Sequence, residues 1–225
     1  MIYMIDTVVV SGGNIEEDFA LDFLHQTEKK RKGKLCLFAA DRGVEFFMHN
    51  GLIPDIAVGD FDSLSDEGKR YLKSLKRTEI VGLRPEKDDS DTQSAVNLAI
   101  RRGAREIAVL GGTGTRLDHV LANLGLLLEA KEKGAAVCLL DAHNEVRLVD
   151  SGTVLQKKEQ FGKYVSFFCI GGDVTGLTLE GFKYPLTNHH LQARESGLTV
   201  SNEILAEEAK VTFASGNLLM LMTRD

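Results

Sequence analysis

The chain has 225 residues, 43% of them hydrophobic, and a formal net charge of -6. That length buries a substantial core as one large domain or two small ones, and the ordinary apolar share excludes an intrinsically disordered chain. The acidic balance gives no reason to expect nucleic-acid binding, so a polyphosphate ligand would need local cations or a bound metal. Val8 to Val10 then reads as a strand ending in Ser11-Gly12-Gly13, followed by an amphipathic helix over Ile15 to Arg31. Leu35 to Ala40 is a second strand, ending at Asp41. Arg42 to Asn50 is a short helix closed by Gly51 at a C-cap position. A brief strand over Ile56 to Val58 ends at Gly59-Asp60. Ser65 to Lys76 reads as helix, Glu79 to Val81 as strand and Asp91 to Arg102 as helix. Ile107 to Leu110 is a buried strand before Gly111-Gly112. Asp118 to Lys133 has the strongest helical pattern, with Leu121, Leu124, Leu127 and Leu128 at helical spacing, and Val137 to Leu140 closes the series.

After about residue 143 the rhythm changes. Val146 to Val149, Tyr164 to Ile170, Thr175 to Leu179, Lys210 to Phe213 and Leu218 to Met222 are short and β-like, with glycine-rich turns between them. Repeated strand–helix–strand units followed by strands alone predict an α/β fold in two parts: a mostly parallel, Rossmann-like sheet with flanking helices over 1–142, then a β-sandwich over 143–225. Cys36, Cys138 and Cys169 each lie in an apolar run and read as buried small hydrophobes, which suits a reducing compartment. The N-terminus carries Asp6 and no basic region, and no apolar run is long enough to span a bilayer. The expectation is a cytoplasmic protein with no membrane partner.

In open parallel sheets, ligands bind beyond the carboxyl ends of the strands, and the acids gather there. Asp41 follows one strand, Asp60 and Asp62 another; Asp88, Asp89 and Asp91 precede a helix, and Asp118 opens the next. Any one of them has a structural explanation as a helix cap or turn residue. As a set at one rim they repel one another unless a cation is present, and hard oxygen ligands favour Mg²⁺. Lys87, in Glu86-Lys87-Asp88-Asp89, puts a point charge suited to phosphate beside the acids. In Gly111-Gly112-Thr113-Gly114-Thr115-Arg116-Leu117-Asp118-His119 the glycines let amides approach an anion, and Arg116 can fork onto phosphate oxygens. Leu117 stands where a dinucleotide fingerprint needs its last glycine, and there is no Walker A sequence. In Gly59-Asp60-Phe61-Asp62-Ser63, Phe61 is expected to turn into the core while both acids face the site.

Taken in order, Asp41-Arg42-Gly43, Gly59 to Ser63, Lys87 to Thr92 and Gly114 to His119 with Asn123 one turn on resemble the thiamine pyrophosphokinase family. Gly181 to Leu186 and Val200 to Glu203 resemble its C-terminal segments. The resemblance implies transfer of pyrophosphate from ATP to the hydroxyl of thiamine, with Mg²⁺ as cofactor, by a homodimer whose sites lie between subunits. It implies Asp60, Asp62, Asp88 and Asp91 as metal ligands, with Asp60, Asp62, Asp91, Arg116 and Asp118 as the catalytic set. ATP would be met by Asp41, Lys87, Thr115, Arg116, His119 and Asn123, and thiamine by Ser201 and Asn202. Where some relatives place Trp before Pro-Leu, this chain has Tyr184, and its contact with thiamine stays open. The rival readings are a phosphatase with Asp60 as nucleophile and a non-catalytic nucleotide sensor.

Overall fold

The computed structural model describes residues 4–31, 33–84, 89–114, 116–195 and 197–225. Lys87, Asp88 and Thr115 therefore lie outside the described residues. The chain divides into two compact units, one ending at Ala142 and one running from His143 to Asp225.

The first unit holds β1 (Thr7–Val10), α1 (Glu17–Lys30), β2 (Cys36–Ala40), α2 (Gly43–His49), β3 (Ile56–Gly59) and α3 (Asp66–Ser74). It continues with β4 (Glu79–Gly82), α4 (Asp91–Arg101), β5 (Glu106–Leu110), α5 (Leu117–Glu132) and β6 (Ala136–Leu140). Its strands run β4-β3-β2-β1-β5-β6, all parallel. Val8, Val9 and Val10 are fully buried, as expected for a central strand covered on both faces. Alternating strand and helix leaves no other way to hide these runs, since each strand must be followed by a crossover. Local chemistry sets the helix ends. The Ser65 and Ser90 side chains accept the N–H of Gly68 and Gln93 and so start α3 and α4. At the end of α2, Gly51 takes a φ of 62°. Its N–H bonds to the Met48 carbonyl, and the Leu52 N–H bonds to the Phe47 carbonyl, so a left-handed residue closes the helix.

The second unit is built from antiparallel strands. β7 (Asn144–Val149), β8 (Thr153–Gln156), β9 (Tyr164–Cys169), β10 (Val174–Glu180), β11 (Leu186–Leu191), β12 (Glu208–Thr212) and β13 (Leu218–Thr223) form two layers. One runs β7-β13-β9 and the other β11-β10-β12-β8. Phe167, Leu218, Met220 and Met222 from the first layer meet Leu177, Leu179, Leu191 and Val211 from the second in one core. That is the expected sandwich, with β8 and β11 as two strands the pattern of apolar residues did not reveal.

Candidate active site

The site begins where the strand order reverses. β2 and β5 flank β1, so the loops leaving these three strands meet at one carboxyl edge, the switch point where such sheets open a crevice. The loops approach so closely that only glycine fits. A Cβ on Gly13 would lie 2.2 Å from the Gly111 carbonyl oxygen, and one on Gly43 would lie 2.0 Å from that of Val10. The first role of these glycines is to let backbone meet backbone. A cleft of about 490 Å³ opens among them, lined by Ser11, Gly12, Gly13, Asp41, Arg42, Asp60, Ser63, Asp89, Asp91, Thr92, Gly111, Gly112, Gly114, Arg116, His119 and Asn123, among others.

Three of the strand-end acids converge here. Asp41, Asp60 and Asp91 each offer a carboxylate oxygen, and the three oxygens lie within 4.8 Å of one another. All three residues are half-buried. Asp41 is held with a φ of 45° by its N–H bond to the Val58 carbonyl. Ser63 donates its hydroxyl to Asp41 Oδ2 at 2.6 Å, while Oδ1 is buried with no hydrogen-bond partner among the described residues. Burial pushes the Asp41 carboxyl above its ordinary pKa, and the negative charges of Asp91 and Asp60 add to the rise against the Ser63 bond. Asp62 is exposed and lies outside the group of three; its N–H donates to Asp60 Oδ1 at 3.2 Å. Phe61 does not enter the core. It is half-buried, and the turn after β3 takes its left-handed residue here, with a φ of 61°.

Below the acids, the buried hydroxyls of Ser11 and Thr92 share a 2.5 Å hydrogen bond that ties the β1 loop to the start of α4. On the β5 side, Asn123 is buried and donates its amide to the Gly112 carbonyl at 2.8 Å. Arg116 stands at the N-cap of α5 with its guanidinium forked onto Asp118, Nε to Oδ1 at 3.1 Å and Nη2 to Oδ2 at 2.5 Å. The bond to Arg116 holds the Asp118 carboxyl below its usual range. Both side chains are exposed; Arg116 and His119 line the cleft, and Asp118 sits behind Arg116. Ser11 lies in the Ser11-Gly12-Gly13 turn that the sequence marks after the first strand; Arg42, Ser63 and Thr92 belong to this lining without having been singled out individually. Their signal was only their place inside the motif strings, since a hydroxyl or guanidinium at a strand end carries no periodicity.

Two family models match the chain. One, described as the catalytic domain of thiamin pyrophosphokinase, covers residues 28–139; the other, its vitamin B1 binding domain, covers residues 152–218. The thiamine pyrophosphokinase of Bacillus subtilis (strain 168) is 33% identical over 185 residues, which is 82% of this chain and 86% of that protein. The chain belongs to the thiamine pyrophosphokinase family. Among solved structures, the Bacillus subtilis thiamine pyrophosphokinase aligns with a TM-score of 0.83 at 28% identity, covering 97% of this chain and 99% of that one. The Geobacillus thermodenitrificans protein aligns at 0.81 and 30% identity, covering 97% of each.

The segment matched by the vitamin B1 binding model contains Ser201 and Asn202. Ser201 is exposed, with a φ of 56°, and its N–H donates to Ser166 Oγ at 3.0 Å. Asn202 is buried, and its side chain holds neighbouring backbone. Oδ1 accepts the N–H groups of Tyr184 and Glu203, each at 2.9 Å, and Nδ2 donates to the Tyr184 carbonyl at 2.8 Å. Tyr184 itself is exposed, as are Leu198, Val200 and Leu205.

Proposed function

We infer that this chain is a thiamine diphosphokinase, which moves the pyrophosphoryl group of ATP to the hydroxyl of thiamine and releases AMP. Family membership together with the acid-lined cleft at the sheet's switch point carries that reading. Three half-buried carboxylates, one of them an Asp41 whose Oδ1 has no hydrogen-bond partner among the described residues, fit a hard divalent cation, because ionised acids so close together repel until a cation joins them. The proposed metal set is Asp60, Asp62, Asp88 and Asp91, extended here by Asp41; Asp62 is kept because its N–H ties its turn to Asp60. When bound, Mg²⁺ supplies neutralising charge to the polyphosphate oxygens.

The chain's own residues do the rest. The glycine loops after β1 and β5 bring backbone to the cleft wall, where a side chain would keep phosphate away. Arg116 meets phosphate oxygens with its fork, which Asp118 keeps oriented until substrate arrives. Asn123 fixes the Gly112 carbonyl and so the shape of the β5 loop. His119, Lys87 and Thr115 complete the proposed nucleotide contacts. Ser201 is the proposed thiamine contact in the second unit. Asn202 sets the Tyr184 backbone beside it. The exposed apolar side chains Tyr184, Leu198, Val200 and Leu205 support a homodimer in which a second copy covers this region. Among the described residues no helix is long and apolar enough to cross a membrane, and a cytoplasmic setting is proposed.

Incubation with ATP, Mg²⁺ and thiamine tests the reading. Thiamine diphosphate should form. Release of inorganic phosphate without it would favour the phosphatase, and nucleotide binding without turnover would favour the sensor.

A further inference from the structure

Among the described residues two guanidiniums line the cleft, those of Arg42 and Arg116. Arg42 is the second residue after β2, next to Asp41. Its stem is pressed by the β1 loop, since a Cβ on Gly12 would come within 2.9 Å of the Arg42 Cβ. Its side chain is 56% exposed, and its Nε lies 3.7 Å from Glu45 Oε2. That separation makes an ion pair and spends no hydrogen bond, so among the described residues this pair leaves the fork's donors unspent. Glu45 is itself fixed: its side chain is 15% exposed and its Oε1 accepts the Ser65 N–H at 2.8 Å. Arg116, by contrast, has both arms of its fork committed to Asp118.

We propose that Arg42 is a second phosphate-binding guanidinium, gripping the polyphosphate of the nucleotide from the β2 side while Arg116 grips it from the β5 side. The proposal rests on the nucleotide reading of the cleft. Its basis is placement. β2 and β5 lie on either side of β1, so the two forks flank the Gly12-Gly13 loop. Asp41, Asp60, Asp89 and Asp91 line the same cleft. A polyanion entering among four carboxylates needs cations on both sides, and a planar fork meets two phosphate oxygens where an ammonium meets one point. Glu45 acts as a positioning residue, holding the guanidinium toward the cleft from behind.

The test is calorimetric binding of α,β-methylene-ATP with Mg²⁺, and separately of inorganic tripolyphosphate, to the full chain and to Arg42→Met and Arg42→Lys. Methionine keeps an aliphatic stem against Gly12 and removes the fork. Arg42→Met should weaken both ligands roughly 10- to 100-fold, the range for one lost charge-assisted contact, with the melting temperature unchanged. Arg42→Lys should recover part of the loss. Binding of both ligands within twofold of the unaltered chain by Arg42→Met would overturn the proposal while leaving the nucleotide reading in place. Loss confined to the nucleotide, with tripolyphosphate unaffected, would also overturn it, because the contact would then be to the nucleoside. An unaltered chain that binds neither ligand would overturn the nucleotide reading and the proposal together.

Discussion

At the scale of single residues, the site is a balance of charges. One oxygen from each of Asp41, Asp60 and Asp91 lies within 4.8 Å of the others, and the proposed metal is their counterweight. Asp60→Asn, Asp62→Asn and Asp91→Asn, and Asp41→Asn with them, should each lower turnover by at least roughly 100-fold with folding intact, since each removes a charge from the clamp on the transferring group. Steady-state rates would decide it, and near-normal turnover in any two of the four would end the shared-metal account. Asp41 allows a second, opposite-looking prediction. Its carboxyl is raised by burial, so over the window between the unfolded and the raised folded value the native state holds more protons. Stability from this group is complete below the ordinary carboxylate range and is lost as pH rises through the folded value. Above the folded value and without metal, the ionised Asp41 is therefore a burden. Asp41→Asn should raise the melting temperature in chelator by a few degrees, at about 2–4 °C per kcal/mol for a chain this size, and should abolish much of the rise that Mg²⁺ gives the unaltered protein. A variant that melts lower in chelator would contradict this. The acids were readable in the sequence because Asp41 and Asp60 follow strands and Asp91 opens a helix, all in short polar strings at element ends. Arg42 and Ser63 were not, because their partners come from loops that only the strand order brings together.

At the scale of elements, the parallel half was legible because buried strands and amphipathic helices have distinct periods, while two features escaped. In α5 the leucines at helical spacing do not share one buried face: Leu121 is 68% exposed, while Asn123 is buried. A polar residue turns inward because its amide satisfies the Gly112 carbonyl, and a hydrogen bond of that kind leaves no apolar signature. The strands β8 and β11 escaped for other reasons. Thr153–Gln156 offers only four residues, and Leu186–Leu191 is mostly polar, with Asn188 at a φ of 49° and register shifts against β10. Such bulged, polar strands are held by their neighbours more than by their own propensity. The turn around Tyr184 shows how local that holding is. Asn202→Ala would leave the Tyr184 N–H and carbonyl without their side-chain partner, and should cost about 2–3 kcal/mol in denaturant titration. Ser201→Ala, whose side chain is exposed, should leave stability within about 0.5 kcal/mol and raise the thiamine KM. Unchanged KM in Ser201→Ala would remove it from the thiamine site.

At the scale of the whole molecule, the question is which phosphorus is attacked. A kinase that moves one phosphoryl group leaves ADP; the proposed reaction leaves AMP. In the balanced step the thiamine hydroxyl oxygen bonds to the β-phosphorus and its proton is released, in the net reaction, to solvent. The bond from that phosphorus to the α,β-bridging oxygen breaks, and its electron pair leaves with AMP. The chain is suited to this in two respects. It has no Walker A loop to fix the γ-phosphate. Its cleft also spreads acids and guanidiniums over the ends of β2, β3 and β5 and the start of α4, which lets a polyphosphate be held by its middle as well as its tail. Ion-exchange chromatography should show AMP rising in step with thiamine diphosphate. Two nucleotide analogues make the assignment sharper. With α,β-methylene-ATP the bond to be broken is a P–C bond, so no transfer should occur. With β,γ-methylene-ATP that bond is intact, so AMP should still appear and thiamine should carry the methylene-bridged diphosphonate. Accumulation of ADP and thiamine monophosphate from ATP, or the reverse order of reactivity between the two analogues, would place the attack at the γ-phosphorus and defeat the assignment even with thiamine as the acceptor.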